Sequence, residues 1–183
     1  MRTLPALFFI SLLFACEPDS GDKTEMTYTG SINDNLILVA PNPIITILPY
    51  QPDDADSLDL NSDNKFEIKF IKKSIPLLTG FGSKTAIVTS NKLQIALSKI
   101  NNYPDSLEVN TLLNSISSWS SSESAIYELQ SYSCDQFDCE SICNFIDISD
   151  KFIGYKLGSK LGWIKIDNSK YGELRIKEYT LIK

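Results

Sequence analysis

This chain predicts an all-β fold, an antiparallel β-sandwich with little helix. Three observations lead there. Apolar and polar residues alternate over short runs from residue 35 onward, turn-forming Gly, Pro, Asn and Asp separate the runs, and helical spacing is confined to one diluted segment. Period-two alternation marks a strand buried on one face. Many short strands parted by turn residues are the signature of sandwiches and barrels.

The elements follow in order. "NLILVA" (35–40) and "IITILPY" (44–50) flank the turn "PNP", whose prolines limit both helix and ladder formation. "FEIKFIKK" (66–73) sets Phe66, Ile68 and Phe70 on one side and Glu67 and Lys69 on the other. "TAIVTSNKLQIAL" (85–97) reads as a hairpin turning at Ser90 and Asn91. "SAIYELQSY" (124–132) supplies another strand. The end of the chain gives three more, "KFIGYKL" (151–157), "LGWIKID" (161–167) and "ELRIKEYTLIK" (173–183), separated by turn signals at 158–160 and 168–170. Glu178 interrupts the apolar face of the last, as a bulge or an edge position would. Only "DSLEVNTLLNSISSW" (105–119) has helical spacing, and its Ser and Asn residues weaken it; "CESICNFI" (139–146) suits one short turn. About nine strands result, and jelly-roll and immunoglobulin-like orders both fit them.

The N-terminus carries one cation, Arg2, then an apolar run from Leu4 to Ala15, then Cys16. That run is too short to cross a bilayer as a helix, which takes about 20 residues. A charged start, a short apolar core and a small residue at its end are the parts of an export signal. Residues 13–16, Leu-Phe-Ala-Cys, resemble the lipobox of bacterial lipoproteins. The resemblance implies cleavage before Cys16, a diacylglycerol thioether on its sulfur and a fatty acyl group, such as palmitate, on its new amine. The alternative is an ordinary signal peptide that happens to contain a cysteine. The chain then divides into a signal peptide (1–15), a lipidated cysteine with a polar tether (16–30) and one β-rich domain (31–183). Two or three acyl chains, at about 0.8 kcal/mol per buried methylene, hold such a domain on a membrane. Acidic residues just after the cysteine, Glu17, Asp19 and Asp22, resemble the signals that send some lipoproteins to the outer cell surface. The address is therefore the bacterial outer membrane, facing either periplasm or surface.

Composition narrows the function classes. Removal of residues 1–15 from the 183 leaves 168, one domain's worth, and takes Arg2 with it, so the formal charge moves from −6 to −7. An acidic chain without a long basic cluster argues against nucleic acid as a partner. There is no histidine. That removes Ser-His and Cys-His nucleophile pairs, a His general base and His-containing zinc sites. The chain reads as a non-enzyme; an acidic hydrolase built on paired carboxylates ranks last. Cys134, Cys139 and Cys143 remain after Cys16. In an oxidising compartment one disulfide among them is expected, with its connectivity open and one thiol left over. A three-thiolate metal site is the sharper alternative, but C-x4-C-x3-C is not a zinc spacing.

One stretch points to an ion. In "SLDLNSDNKFEIKF" (57–70), Asp59, Asn61, Asp63 and Glu67 fall at the first, third, fifth and ninth places of a calcium loop, and the carbonyl of Lys65 falls at the seventh. Asn64 stands at the sixth place, where glycine normally permits the sharp turn and Asn is the next most tolerant residue. The stretch resembles the D-x-D-x-D-G-x-x-D loop of many secreted β-proteins, with Asn for Gly and Glu for the last Asp. The plainer reading is a solvated Asp/Asn/Ser turn between strands. A structural calcium ion bound here would be held weakly, with Kd on the order of 0.1–1 mM.

Together, "DLNSDNKFEI" (59–68), "KFIGYKL" (151–157), "LGWIKID" (161–167) and "RIKEYTLIK" (175–183) resemble a family of exported bacterial lipoproteins of uncharacterised activity. That family has a lipobox, a DxNxDGxxD-like loop before a strand and a C-terminal YIGF…GWI pattern. The resemblance implies the β fold and the ion loop, and no catalytic residues. Two roles fit such a protein: a tethered module binding a polysaccharide or an envelope protein, or an envelope-structural lipoprotein without a ligand site. Trp119, Tyr127, Tyr132 and Tyr155 are the candidate rings for stacking on sugars, and Trp163 reads as a packing residue.

Overall fold

The computed structural model describes residues 25–47, 55–77, 80–90, 92–100, 103–131, 139–141, 148–168 and 173–183, by backbone alone at 74–77, 80–83, 124–131 and 139–141. Alternation does become strand. β1 (Leu36–Val39), β2 (Ile45–Ile47), β6 (Leu93–Ala96), β7 (Trp119–Ser120), β10 (Ile148–Leu157), β11 (Lys160–Asn168) and β12 (Leu174–Ile182) form one antiparallel sheet. Its order is β1-β12-β11-β10-β6-β7, with β2 also on β12. β3 (Ala55–Leu58), β4 (Ile68–Leu77), β5 (Gly80–Thr89), β8 (Ser124–Ser131) and β9 (Cys139–Ser141) form the second, in that order.

The two sheets share one core. Leu58, Ile68, Phe70 and Ile87 of the smaller sheet pack with Leu93, Ile95, Ile153, Tyr155, Ile164, Ile166, Leu174 and Ile176 of the larger. Each such side chain, fully removed from water, contributes about 1.5–3 kcal/mol. The all-β sandwich class is therefore the observed one, and among the described residues the only helical piece is a single 3-10 turn, Leu113–Ser115.

Several local expectations change. The stretch 85–97 is not a hairpin: β5 lies in the smaller sheet and β6 in the larger, so the chain crosses between layers. Ile87 and Leu93 then face the same core from opposite sides, which a hairpin could not arrange. Segment 105–119 is not a helix; Leu107 and Phe152 exchange backbone bonds of 2.9 and 3.0 Å, drawing it onto the larger sheet. Cys139 begins a strand paired with β8 (Ser131↔Cys139) instead of a helical turn. The irregularity expected at Glu178 is a bulge one residue earlier: Lys165 pairs with Glu178 and Ile166 with Ile176, so Lys177 is skipped.

The last six residues assigned to the tether, 25–30, instead join a third layer. Leu113 N–H donates to Thr27 O (2.8 Å) and Thr29 N–H to Thr111 O (3.0 Å), burying both threonines against the outer face of the larger sheet. Beneath this layer Phe152 and Trp163 meet edge to face, with centroids 5.3 Å apart at 81°. Trp163 Nε1 donates to Ser31 O at 2.9 Å, so Trp163 is indeed a packing residue.

Within the larger sheet a tyrosine lies across a glycine. Tyr155 on β10 is paired with Gly162 on β11, and its hydroxyl reaches over to donate to the Thr180 carbonyl on β12 at 2.6 Å. A Cβ on Gly162 would sit 2.3 Å from Tyr155 Cζ and 2.7 Å from Thr180 Oγ1. The opposite case occurs in the smaller sheet. Lys72 continues the inward side of Ile68 and Phe70, is 6 % exposed, and lies opposite Thr85; among the described residues neither Lys72 Nζ nor Thr85 Oγ1 has a hydrogen-bond partner. Burial lowers the Lys72 pKa to about 8.

Two outcomes follow. Gly162→Ala should lose about 2 kcal/mol of unfolding free energy, read from the urea midpoint, because neither neighbour is the free end of a flexible chain. Lys72→Met should stabilise the protein at pH 7 by roughly 2 kcal/mol, because a buried unpaired ammonium is removed. The folded pKa lies below the unfolded one, so the cost is fully present below pH 8 and relieved as the pH rises towards 10.5. Melting temperatures of the two proteins should therefore converge above pH 8.

Candidate metal loop between β3 and β4

Residues 59–67 connect β3 to β4, whose ends pair as Leu58↔Ile68. Short polar side chains fold this connection on itself. Asp59 Oδ1 accepts the amides of Asn61 (3.3 Å) and Asp63 (3.2 Å), and Oδ2 accepts that of Asn64 (2.8 Å). Asn61 Oδ1 also accepts the Asp63 amide (3.0 Å), and Asp63 Oδ1 accepts that of Lys65 (2.9 Å). Ser62 and Asn64 take left-handed backbone, φ 59° and 62°. Asn at the sixth place thus does what glycine would do there.

The loop is pinned by Leu60. Its side chain is wholly buried in the core, its N–H donates to Glu67 Oε2 at 2.8 Å, and its carbonyl accepts Ile182 N–H at 2.8 Å from the larger sheet. Glu67 is consequently turned inward, 6 % exposed, while Phe66 is 65 % exposed. This inverts the two sides expected for 66–67. The Leu60 amide requires an acceptor, and a buried N–H without one costs more than an exposed phenyl ring. Regular alternation begins at Ile68.

The result is a carboxylate cluster. One oxygen from each of Asp59, Asp63 and Glu67 lies within 4.8 Å of the others, with Asp63 exposed, Asp59 half-buried and Glu67 buried. Burial raises the Glu67 pKa and the charges of Asp59 and Asp63 add to the rise, opposed by the Leu60 N–H bond. Among the described residues no lysine or arginine pairs with any of the three. Burial raises the pKa of Tyr179, and the charges of Asp59 and Asp56 raise it further. Tyr155 also rises, mainly through burial and partly through Glu67. Three oxygens of one sign so close together could hold a metal ion, which would relieve the repulsion.

Of the residues singled out from the spacing, the structure brings Asp59, Asp63 and Glu67 together. Asn61 lies in the same turn with its side-chain oxygen on a backbone amide, and Lys65 contributes an N–H to Asp63. Leu60 carried the one signal available, an apolar residue inside a polar run, and its role as the pin was missed. Compared with known proteins, the chain matches no family model, no curated protein and no solved structure.

The remaining candidates fare unevenly. Tyr155 is fully buried and so unavailable for stacking on a sugar. Trp119 is half-buried with Nε1 donating to Ile116 O at 2.9 Å. Tyr132, Cys16, Cys134 and Cys143 lie outside the described residues, as do the side chains of Tyr127 and Cys139.

The cation reading has a thermal test. Five millimolar calcium against a Kd of about 0.5 mM adds about 1.4 kcal/mol to the folded state, which raises the melting temperature by about 3–5 °C. Asp63→Asn keeps an acceptor for the Lys65 N–H and removes one of the two charges that face Glu67. It should abolish most of that rise and, by easing the repulsion on Glu67, leave the melting temperature in chelator equal or slightly higher. Equal behaviour of the two proteins in calcium would dismiss the site.

Proposed function

We propose that this protein is a lipoprotein of the bacterial outer membrane, tethered through acylated Cys16, whose β-domain is a binding module with a structural calcium loop. The carrying observation for the tether is Leu13-Phe14-Ala15-Cys16 at the point where the apolar core gives way to polar sequence. The ion loop is supported by the convergence of Asp59, Asp63 and Glu67 without a basic partner among the described residues. In this role the ion does no chemistry; it stiffens the connection that leads into β4. Lack of histidine supports a non-enzymatic role, with a polysaccharide or an envelope protein as the partner and nucleic acid disfavoured by charge.

One observation favours a second reading, an envelope-assembly lipoprotein without a small-molecule site. β1 lies at the edge of the larger sheet with Ile37 and Leu38 exposed, and an apolar edge strand is a template for pairing with another chain. Both readings require the anchor. Cys16→Ser should move the protein from the membrane pellet to the soluble fraction and abolish the mass added by acylation. Retention of that variant in the pellet would refute the tether.

A further inference from the structure

The first stretch of the described chain concentrates its exposed apolar side chains. Among the nine large exposed ones, Met26, Tyr28, Ile32, Ile37, Leu38 and Ile44 fall within residues 26–44, and a seventh, Val109, packs beside Gly30. Four of these sit on two segments that are bonded to each other. The Tyr28 hydroxyl touches Met26 Sδ at 3.5 Å, residues 28–31 make a turn closed by Ser31 N–H on Tyr28 O, and Asn110 N–H donates to Thr29 O at 2.9 Å. Met26, Tyr28, Ile32 and Val109 thus project from the same pair of strapped segments on the outer layer. Two carboxylates beside them are already committed: Glu25 accepts from Asn35, and Glu108 pairs with Lys151.

We propose that this surface rests in the headgroup region of the bilayer that holds the anchor, so that the domain meets the membrane in one orientation. The inference rests on the tethered reading above. Cys16 lies nine residues before Glu25, so the chain can hold the strap no more than about 30 Å from the acylated residue. The chain also enters the domain through this patch, which makes it the first surface to meet the lipid. The fit is apolar. Lys151, the cation beside Val109, is already paired with Glu108, so zwitterionic lipid suffices.

The test uses lipidated protein in phosphatidylcholine vesicles, part of whose lipid carries a photoactivatable diazirine near the ester. After flotation and illumination, label should appear on peptides covering 26–32 and 109. It should be at least five-fold weaker at Ile100, which follows β6, one strand in from the β7 edge of the larger sheet, and is 94 % exposed. The variant Met26→Ser, Ile32→Ser, Val109→Ser should still float and fold, judged by its melting curve, while losing that label. Protein that floats with label spread evenly over 26–32, 109 and Ile100 overturns the orientation and leaves the anchor standing. Protein that fails to float overturns the anchor and the orientation with it.

Discussion

The backbone of Leu60 holds the two sheets and the acidic loop in one arrangement. Its carbonyl takes the Ile182 amide of the larger sheet, its N–H goes to the Glu67 carboxylate of the smaller, and its side chain fills the core between them. With both backbone groups used and the side chain buried, residue 60 cannot move without opening the sandwich. Glu67 must then stay inside, and Asp59 and Asp63 are folded over it. A buried amide and a buried carboxylate satisfy one another here, and the accumulated negative charge is the consequence.

The rest of the polar interior follows a similar logic with one exception. Thr180 takes the Trp163 amide on its hydroxyl and the Tyr155 hydroxyl on its carbonyl, so the ladder between β11 and β12 is completed there by side chains. That arrangement needs Gly162, because the Tyr155 ring occupies the space a Cβ would take. Thr27 and Thr29 are buried beside the backbone bonds that fix the outer layer. Lys72 and Thr85 differ: they face inward, opposite each other, without partners among the described residues. The sandwich therefore has an apolar centre around Phe70 and Ile87 and a polar end one register step further along β4 and β5.

Much of the fold could be read along the chain where pairing is local. β10, β11 and β12 were legible because each pairs with its neighbour, and Gly158 at φ 64° supplies the turn between the first two. β5 and β6 were legible as strands and not as partners. A tight hairpin and a crossing between sheets have the same alternation up to the turn, and only the burial of Ile87 against one layer and Leu93 in the other separates them. β3 escaped notice because Ala55, Asp56 and Ser57 lack the branched or aromatic side chains that mark strands; its pairing with β4 supplies what propensity does not.

The acidic loop shows the division most clearly. Spacing alone determined that Asp59, Asn61 and Asp63 would curl around their own amides, because short polar side chains bond backbone groups two to five residues on. Composition alone determined the absence of histidine chemistry, and the short apolar run ending at Cys16 determined the expected address. Only the tertiary structure decided that Glu67 points inward and Phe66 outward, that residues 25–33 close over Trp163, and that Lys72 is buried without a partner among the described residues. The first turns on the Leu60 amide, held in place by Ile182 of the other sheet, and the second on the Trp163 indole. Alternation reports which residues share a strand face; it carries no information about which distant donor needs an acceptor.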